Sequence, residues 1–469
     1  MLSAGIGATL GSGLWWWSRR SSALIGRREA MLLVAMTWLL GAAMAAMPYF
    51  LWSHLGEGVG TEQPFDSYVD AYFEAMSGLT TTGATVIADI PAVPHSLLLW
   101  RALTQWLGGL GIVVLFVAVL PSLGVGARKL YRFEAPGPAT ESVRPQIRET
   151  ARVLWLIYFG LTVVEASLLK LAGMSWFDAV AHTFATLSTG GFSTQNASMG
   201  YFPSIWIDSI VIVFMVLAGV NFGLFYHLIR GQWRVLWKDT ELRVYMLVLL
   251  IASVIVAASL VGGRIHSMSG GEAAAADASL GEAARHGVFQ VVSIQTTSGF
   301  CTADFNWWAF VPQAVLVLLM FVGASAGSTG GGIKIIRIII LFKVLWAEVE
   351  RVFRPHVVRS IKVGRSVINA ELRQSTLAYI LGILLLFLIG AGALMLLEAS
   401  PGIDFKTAAT ASAATLNNIG PGLGMVGATE NYARFSTPSK LVLSLLMALG
   451  RLELFAILVL FTPRFWRTD

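Results

Sequence analysis

Thr81-Thr82-Gly83-Ala84-Thr85 is the first of four short segments that share one grammar. The others are Thr189-Gly190-Gly191-Phe192-Ser193, Thr297-Ser298-Gly299-Phe300-Cys301 and Asn418-Ile419-Gly420-Pro421-Gly422. Aligned on the third residue, all four place a glycine there: Gly83, Gly191, Gly299 and Gly420, at intervals of 108, 108 and 121 residues. Glycine accepts backbone angles that other residues avoid and can turn a carbonyl inward. Threonine and serine are small and add hydroxyl acceptors. None of the segments holds Asp or Glu, so dipoles rather than fixed charges must coordinate, which suits a monovalent cation over Ca2+. Four such loops meeting on one axis form a ring of carbonyls of the kind that replaces the hydration shell of K+. The candidate ion-holding residues are Thr81, Thr82, Gly83, Thr189, Gly190, Gly191, Thr297, Ser298, Gly299, Asn418, Ile419 and Gly420. The fourth loop departs from the others at Asn418, Ile419 and Pro421, so four-fold symmetry is broken and looser selectivity than in a true tetramer is expected.

The remainder of the chain supplies the setting such loops require. Of its 469 residues 56% are hydrophobic and 13% charged, and the mean hydropathy is +0.70. That leaves too little polar surface for a soluble globule. Apolar runs of about 20 residues recur, enough to cross roughly 30 Å of hydrocarbon. The single cysteine, Cys301, excludes an internal disulfide framework. No basic stretch precedes the first apolar run, which argues against a secretory signal peptide. The net charge of +6 does not point to nucleic acid, because the cations sort by membrane side. Most of the 33 Lys and Arg fall in alternate connections, 17–31, 121–152, 230–243 and 343–373, and in the tail at Arg464 and Arg467. By the positive-inside rule that face is cytoplasmic. The connections near the loops carry acids instead, including Asp66, Asp70, Asp277 and Glu282, so the loops are expected to open to the outside. Trp15, Trp16 and Trp17 before Arg19 mark a membrane interface.

The fold class expected is an all-α polytopic membrane protein. Four pseudo-repeated units, each helix, pore half-helix, filter loop and helix, surround one central pore. After a stub and basic linker over 1–30, the units occupy 31–121, 122–229, 230–350 and 351–469. The half-helices, 66–79, 176–188, 282–295 and 404–417, are too short to span. Acids at their starts, Asp66, Asp178, Glu282 and Asp404, suit the positive end of a helix dipole. Their carbonyl ends then face the loops and favour a cation. Irregular backbone at membrane depth survives only where it is buried or lines water, a condition that four convergent loops meet together.

The third inner helix, 306–350, is interrupted by Gly323, Gly327, Gly330, Gly331 and Gly332. Each glycine disfavours helix by about 0.8–1 kcal/mol relative to alanine. The segment 323–332 reads as a flexible intramembrane gate beneath the filter, with Ser325, Ser328 and Thr329 able to plug the path. Close helix packing through Gly323 and Gly327 is the alternative. Arg451 falls within the last inner helix, read as 438–462, at a depth of roughly 16 Å from its end. So deep an arginine must face water or a partner, and a structural pair with a carboxylate on a neighbouring helix is its alternative. Lys334 and Arg337 either anchor the gate, meet a partner, or snorkel at a helix end. His182, His227 and His286 lack metal-ligand spacing, and Gly422-x-Gly424-x-x-Gly427 lacks the βαβ setting of a dinucleotide site. No nucleophile–base pair emerges, so the chain does not read as an enzyme. Nor is there room for a nucleotide-binding domain. A second polypeptide would have to carry any nucleotide regulation, docking on 121–152 and 343–373, although positive-inside charge alone explains the same residues.

These loops, read with their flanks, resemble the TrkH/KtrB-type potassium transporter family, and TrkH more closely. The carrying stretches are Ser77 to Thr85, Leu187 to Thr194, Gln295 to Phe300, Asn417 to Gly422 and Ala324 to Gly332. The resemblance covers about 30–469. It implies K+ uptake through a pseudo-four-fold pore in a bacterial inner membrane, a homodimer, and gating by a cytoplasmic TrkA-type ring that binds NAD(H) or ATP/ADP. It also implies that Arg451 is a pore-facing electrostatic barrier below the filter. A sodium- or proton-coupled carrier of the same fold, and a scaffold with vestigial loops, are the rival readings.

Overall fold

The computed structural model describes residues 2–19, 26–55, 64–118, 143–268, 274–355, 360–364, 366–398 and 403–467. The basic stretch 121–142, and the acids Glu57, Glu62 and Glu272 near the loops, lie outside these residues.

Among the described residues, four helices are long and apolar enough to cross a membrane: Arg28–Leu55, Ala151–Leu171, Thr240–Leu260 and Ala370–Leu397. Each opens one of the four units. Their outward faces carry exposed leucines such as Leu250, Leu385 and Leu388, as expected where the solvent is hydrocarbon. Behind each follows a short buried half-helix: Tyr68–Leu79, Trp176–Leu187, Leu280–Gln295 and Phe405–Leu416. A 12-residue helix is about 18 Å long, well short of the hydrocarbon thickness. The chain is thus a mainly helical, multi-pass membrane protein with four pseudo-repeated units around a central pore. Two minor antiparallel pairs, Arg264–Ser267 with Ala274–Asp277 and Lys362–Val363 with Ser366–Val367, interrupt the helical pattern, each tucking one side chain, Ile265 and Val363, into the core. A separate helix, Leu2–Ser18, precedes the first unit.

The half-helices start as helix chemistry dictates, though not quite at the acids. Ser67, Ser175 and Ser279 are the caps of the first three, each accepting a backbone N–H, and Asp404 caps the fourth. Asp70, Asp178 and Glu282 sit in the first turns. Ser279 and Glu282 form a reciprocal capping box. Serine is as good a cap as aspartate, and the acids act through the dipole one turn later.

Three of the inner helices are broken, where one break was expected. Ile205–Ala218 turns by 96° into Phe222–Ile229, and Thr437–Arg451 turns by 116° into Phe455–Phe461. The third is split into Phe310–Phe321 and Ile335–Phe353. The reading of 203–229 and 438–462 as continuous helices is therefore corrected. Asn221 caps the new start after the first break, accepting from Gly223 N–H at 2.8 Å. Glu453 and Leu454 adopt positive φ at the second.

Candidate ion-conduction site

Each half-helix ends the same way. The amides of Thr81, Thr189, Thr297 and Asn418 bond back three residues, to the carbonyls of Gly78, Thr186, Ile294 and Thr415. The next amides, of Thr82, Gly190, Ser298 and Ile419, bond back five, to Ser77, Ala185, Ser293 and Ala414 at 2.8–2.9 Å. That pair of bonds is a Schellman cap, and it drives the residue after the cap into the left-handed region. Thr81, Thr189, Thr297 and Asn418 have φ of 53°, 55°, 62° and 56°. Two residues on, Gly83, Gly191, Gly299 and Gly420 are left-handed again, at 81°, 73°, 75° and 95°.

The glycines close a ring. A Cβ on Gly83 would lie 2.2 Å from the carbonyl oxygen of Gly190. One on Gly191 would lie 1.8 Å from that of Ser298, one on Gly299 1.9 Å from that of Ile419, and one on Gly420 2.6 Å from that of Thr82. Loop one thus abuts loop two, two abuts three, three abuts four, and four returns to one. All twelve candidate ion-holding residues lie in this ring. No side chain fits at the four glycine positions, because each would displace the neighbouring backbone.

The ring is not symmetric. Asn418 Nδ2 donates to Thr82 Oγ1 (3.0 Å) and to the Met447 carbonyl (2.9 Å). Gln105 Nε2 donates to the Gly190 carbonyl at 2.7 Å. Tyr432 donates its hydroxyl to the Gly420 carbonyl at 2.8 Å. Lys440 pairs with Asp70 across the first and fourth units at 2.5 Å.

Beneath the ring lies the glycine-rich segment. Residues 323–332 are not helical, and Gly327 and Gly332 have φ of 68° and 65°, so helix packing through Gly323 and Gly327 does not describe them. Gly331 N–H donates to Thr297 Oγ1 at 2.6 Å, and a Cβ on Gly331 would lie 2.4 Å from the Asn417 carbonyl oxygen. Gly323 lies against the Gly331 carbonyl. Ser328 Oγ closes a turn onto the Ser325 carbonyl. Thr329 Oγ1 donates to the carbonyls of Leu187 (2.9 Å) and Ala218 (3.2 Å). Lys334 is buried and donates Nζ to the Gly330 carbonyl, so it does not snorkel. Arg337 pairs with Glu453 at 2.5 Å.

Arg451 is the last residue of its helix and is 3% exposed. Its guanidinium donates to the carbonyls of Thr329 (2.7 Å) and Gly108 (3.2 Å) rather than to a carboxylate. It joins the first inner helix, the glycine-rich segment and the fourth unit at one point.

Four participants were not read from the sequence. Glu241 accepts from the amides of Ala326 (2.8 Å) and Ile336 (3.0 Å), holding both flanks of the glycine-rich segment. Glu74, Arg101 and Gln105 brace the filter loops from behind. For Glu241, Glu74 and Arg101 the available signal was their chemistry: a charge within a membrane helix is costly and seldom idle.

Four re-entrant half-helices aimed at a closed ring of backbone, inside a multi-pass helical frame, define a pore-loop membrane transport protein and not an enzyme. Residues 4–468 match the model of the TrkH family, described as cation transport protein, and the chain belongs to that family. It is 40% identical over 464 residues to the Trk system potassium uptake proteins TrkH of Salmonella typhimurium and Escherichia coli K12, covering 98% of this chain and 91% of each relative. It is 32% identical over 461 residues to the Trk system potassium uptake protein TrkG of Escherichia coli K12, covering 98% and 90%. The crystal structure of the potassium transporter TrkH from Vibrio parahaemolyticus superposes with a TM-score of 0.85 at 35% identity, covering 99% of this chain and 92% of that one.

Proposed function

We propose that this protein takes up K+ across a bacterial inner membrane. The ion passes through the four-loop ring, which faces the periplasm, and the glycine-rich segment with Arg451 forms the gate beneath it. The observation that carries the reading is the cyclic closure of the four loops, each glycine lying against the next loop's carbonyl. Four half-helix carbonyl ends add cation-favouring dipoles at the same point, and left-handed and ordinary backbone alternate through each loop. A carbonyl cage without carboxylates selects by field strength and ligand number among monovalent ions.

The gate reading rests on position. The segment bonds to Thr297 above and to Arg451 at its side, so movement that frees the axis must break these contacts. Arg451 then acts as a positive barrier below the ring. The chain works as a homodimer in membrane lipid, with a cytoplasmic TrkA-type ring that binds NAD(H) or ATP/ADP driving the gate. No nucleotide is held by this chain itself. A sodium- or proton-coupled mechanism would use the same ring, and reversal potentials under ion gradients separate the two.

The test is flux from liposomes containing the purified chain, K+ against Na+, beside Gly299→Ser. At φ 75° with Ile419 O and Pro421 Cδ at 1.9 and 2.8 Å from any Cβ, serine must displace the ring. K+-preferring flux lost in the variant is the expected result. Equal flux in parent and variant would overturn the filter reading.

A further inference from the structure

Glu74, His182 and Gln290 occupy one register position: each stands at the same offset before its filter glycine, in three different half-helices. Each is wholly buried. Each also reaches forward past its own filter, by different chemistry. Glu74 accepts from Thr85 Oγ1 and Val86 N–H, both at 3.0 Å. His182 Nε2 lies 2.9 Å from Ser193 Oγ. Gln290 Nε2 donates to the Phe300 carbonyl at 3.2 Å. The fourth unit has Ala411 at this position, and neighbouring Thr410 bonds Leu423 N–H and C=O instead. The position is therefore a strut between half-helix and outer filter edge in the first three units, a carboxyl in the first, an imidazole in the second and an amide in the third.

The charged strut does something the others do not. Arg101 donates Nε to Glu74 Oε1 at 2.6 Å and Nη1 to the Ser193 carbonyl at 2.8 Å. Its guanidinium stacks 3.6 Å over the Phe192 ring. Ser193 and Phe192 belong to the second loop, Thr85 and Val86 to the first. An ion pair that is 0% and 3% exposed thus spans two filter loops. Charge-assisted bonds in a low-dielectric site are the stiffest polar restraints available.

We infer that Glu74 and Arg101 are positioning residues that set discrimination between K+ and Na+ by fixing the spacing of the first two filter loops, an inference that rests on the proposed filter. Glu74 lies behind the loops, and Arg101 borders the outer mouth of the ring beside Gly83 and Gly191. The pair resists the inward relaxation that would let carbonyls close around a smaller ion. Its single-sided placement makes the first and second loops the stiff half of the ring.

Permeability ratios measured on the reconstituted full chain test this. Changing one partner strands the other charge, so the principal variant is Glu74→Gln/Arg101→Gln, which removes both. Thr85→Val leaves the pair intact and removes only the loop-side hydroxyl, and Thr85→Ser restores it. The expected result is retained K+ flux with the K+/Na+ ratio lowered by about tenfold in the double variant, the worth of one such bond. Thr85→Val falls in between and Thr85→Ser matches the parent. If the double variant does not fold, Thr85→Val against Thr85→Ser decides alone. An unchanged ratio in a folded, conducting double variant overturns the inference, as does one in Thr85→Val. A conducting parent that does not prefer K+ over Na+ would refute the filter itself.

Discussion

Threonine at a left-handed backbone position is an expensive choice. The residue after a Schellman cap is ordinarily glycine, and a β-branched side chain there is disfavoured by roughly 1–2 kcal/mol. Thr81, Thr189 and Thr297 all accept this penalty, while Asn418, which tolerates the region better, takes the fourth place. Strain of this kind persists where the side chain or the conformation is used. Thr297 has a visible use, because its hydroxyl accepts the Gly331 amide of the glycine-rich segment. The Thr81 hydroxyl is buried without a hydrogen-bond partner from the protein, which would let its oxygen serve the proposed conduction path. Thr81→Gly is therefore expected to raise the melting temperature, since strain and an orphaned hydroxyl both disappear, and to lower K+ flux. Thermal unfolding and liposome flux on one preparation check both halves. A stabilised variant with parental flux would show that the hydroxyl is not used.

At the scale of elements, the half-helices matter for what lies at their two ends. Their C-terminal caps write the filter backbone, and their N-terminal caps keep the helix from unwinding away from it. Asp404 caps the fourth half-helix through Thr407 N–H at 2.8 Å. The Thr407 side chain and then its backbone amide hold the Asp404 pKa below its ordinary value. A carboxyl depressed in the folded state adds stability that is fully present above its unfolded pKa and is lost as pH falls through the lower folded value. Asp404→Asn keeps a competent cap but has no charge to titrate. Its stability is expected to lose this part of the acid-limb decline, whereas Asp404→Ala loses about 1 kcal/mol at neutral pH. Unfolding midpoints from pH 7 down to pH 3 measure the difference, and parallel curves for parent and asparagine variant would exclude a role for the cap's charge.

At the scale of the whole molecule, the glycine-rich segment is held in place by partners distant in sequence. The second inner helix breaks after Ala218 where the glycine-rich segment satisfies the freed groups. Ser325 N–H bonds the Gly219 carbonyl (3.0 Å), Thr329 N–H bonds that of Ala218 (3.3 Å), and Phe222 N–H bonds that of Gly327 (3.0 Å). Arg451 adds the fourth unit to this contact. Removing residues 324–330 is expected to raise basal K+ leak, and Arg451→Ala to speed conduction by removing both a positive barrier and a gate restraint. Stopped-flow flux measures these, with size-exclusion profiles to register folding. A folded deletion variant with parental leak would reject the gate, and slower flux in folded Arg451→Ala would reject the barrier.

The four filter loops were legible in the sequence because their information is local. A cap motif, a glycine two residues later and a half-helix of fixed length recur within each unit, and together they specify the backbone. The glycine run at 323–332 and the intramembrane Arg451 were legible for the same reason: each is improbable in its own helix. The membrane frame followed from composition and the sorting of cations. What the tertiary structure alone decided was the pairing between units. It showed that Glu74 meets Arg101, that Gln105 reaches the Gly190 carbonyl, that Glu241 grips the glycine-rich segment and that Arg451 ends a helix rather than lying inside one. A buried charge reports from sequence only that it needs a partner; hydrogen-bond geometry across the packed core chooses which. The same holds for the breaks at Gly219 and Leu452, since a helix opens inside a membrane only where another segment satisfies the carbonyls it frees.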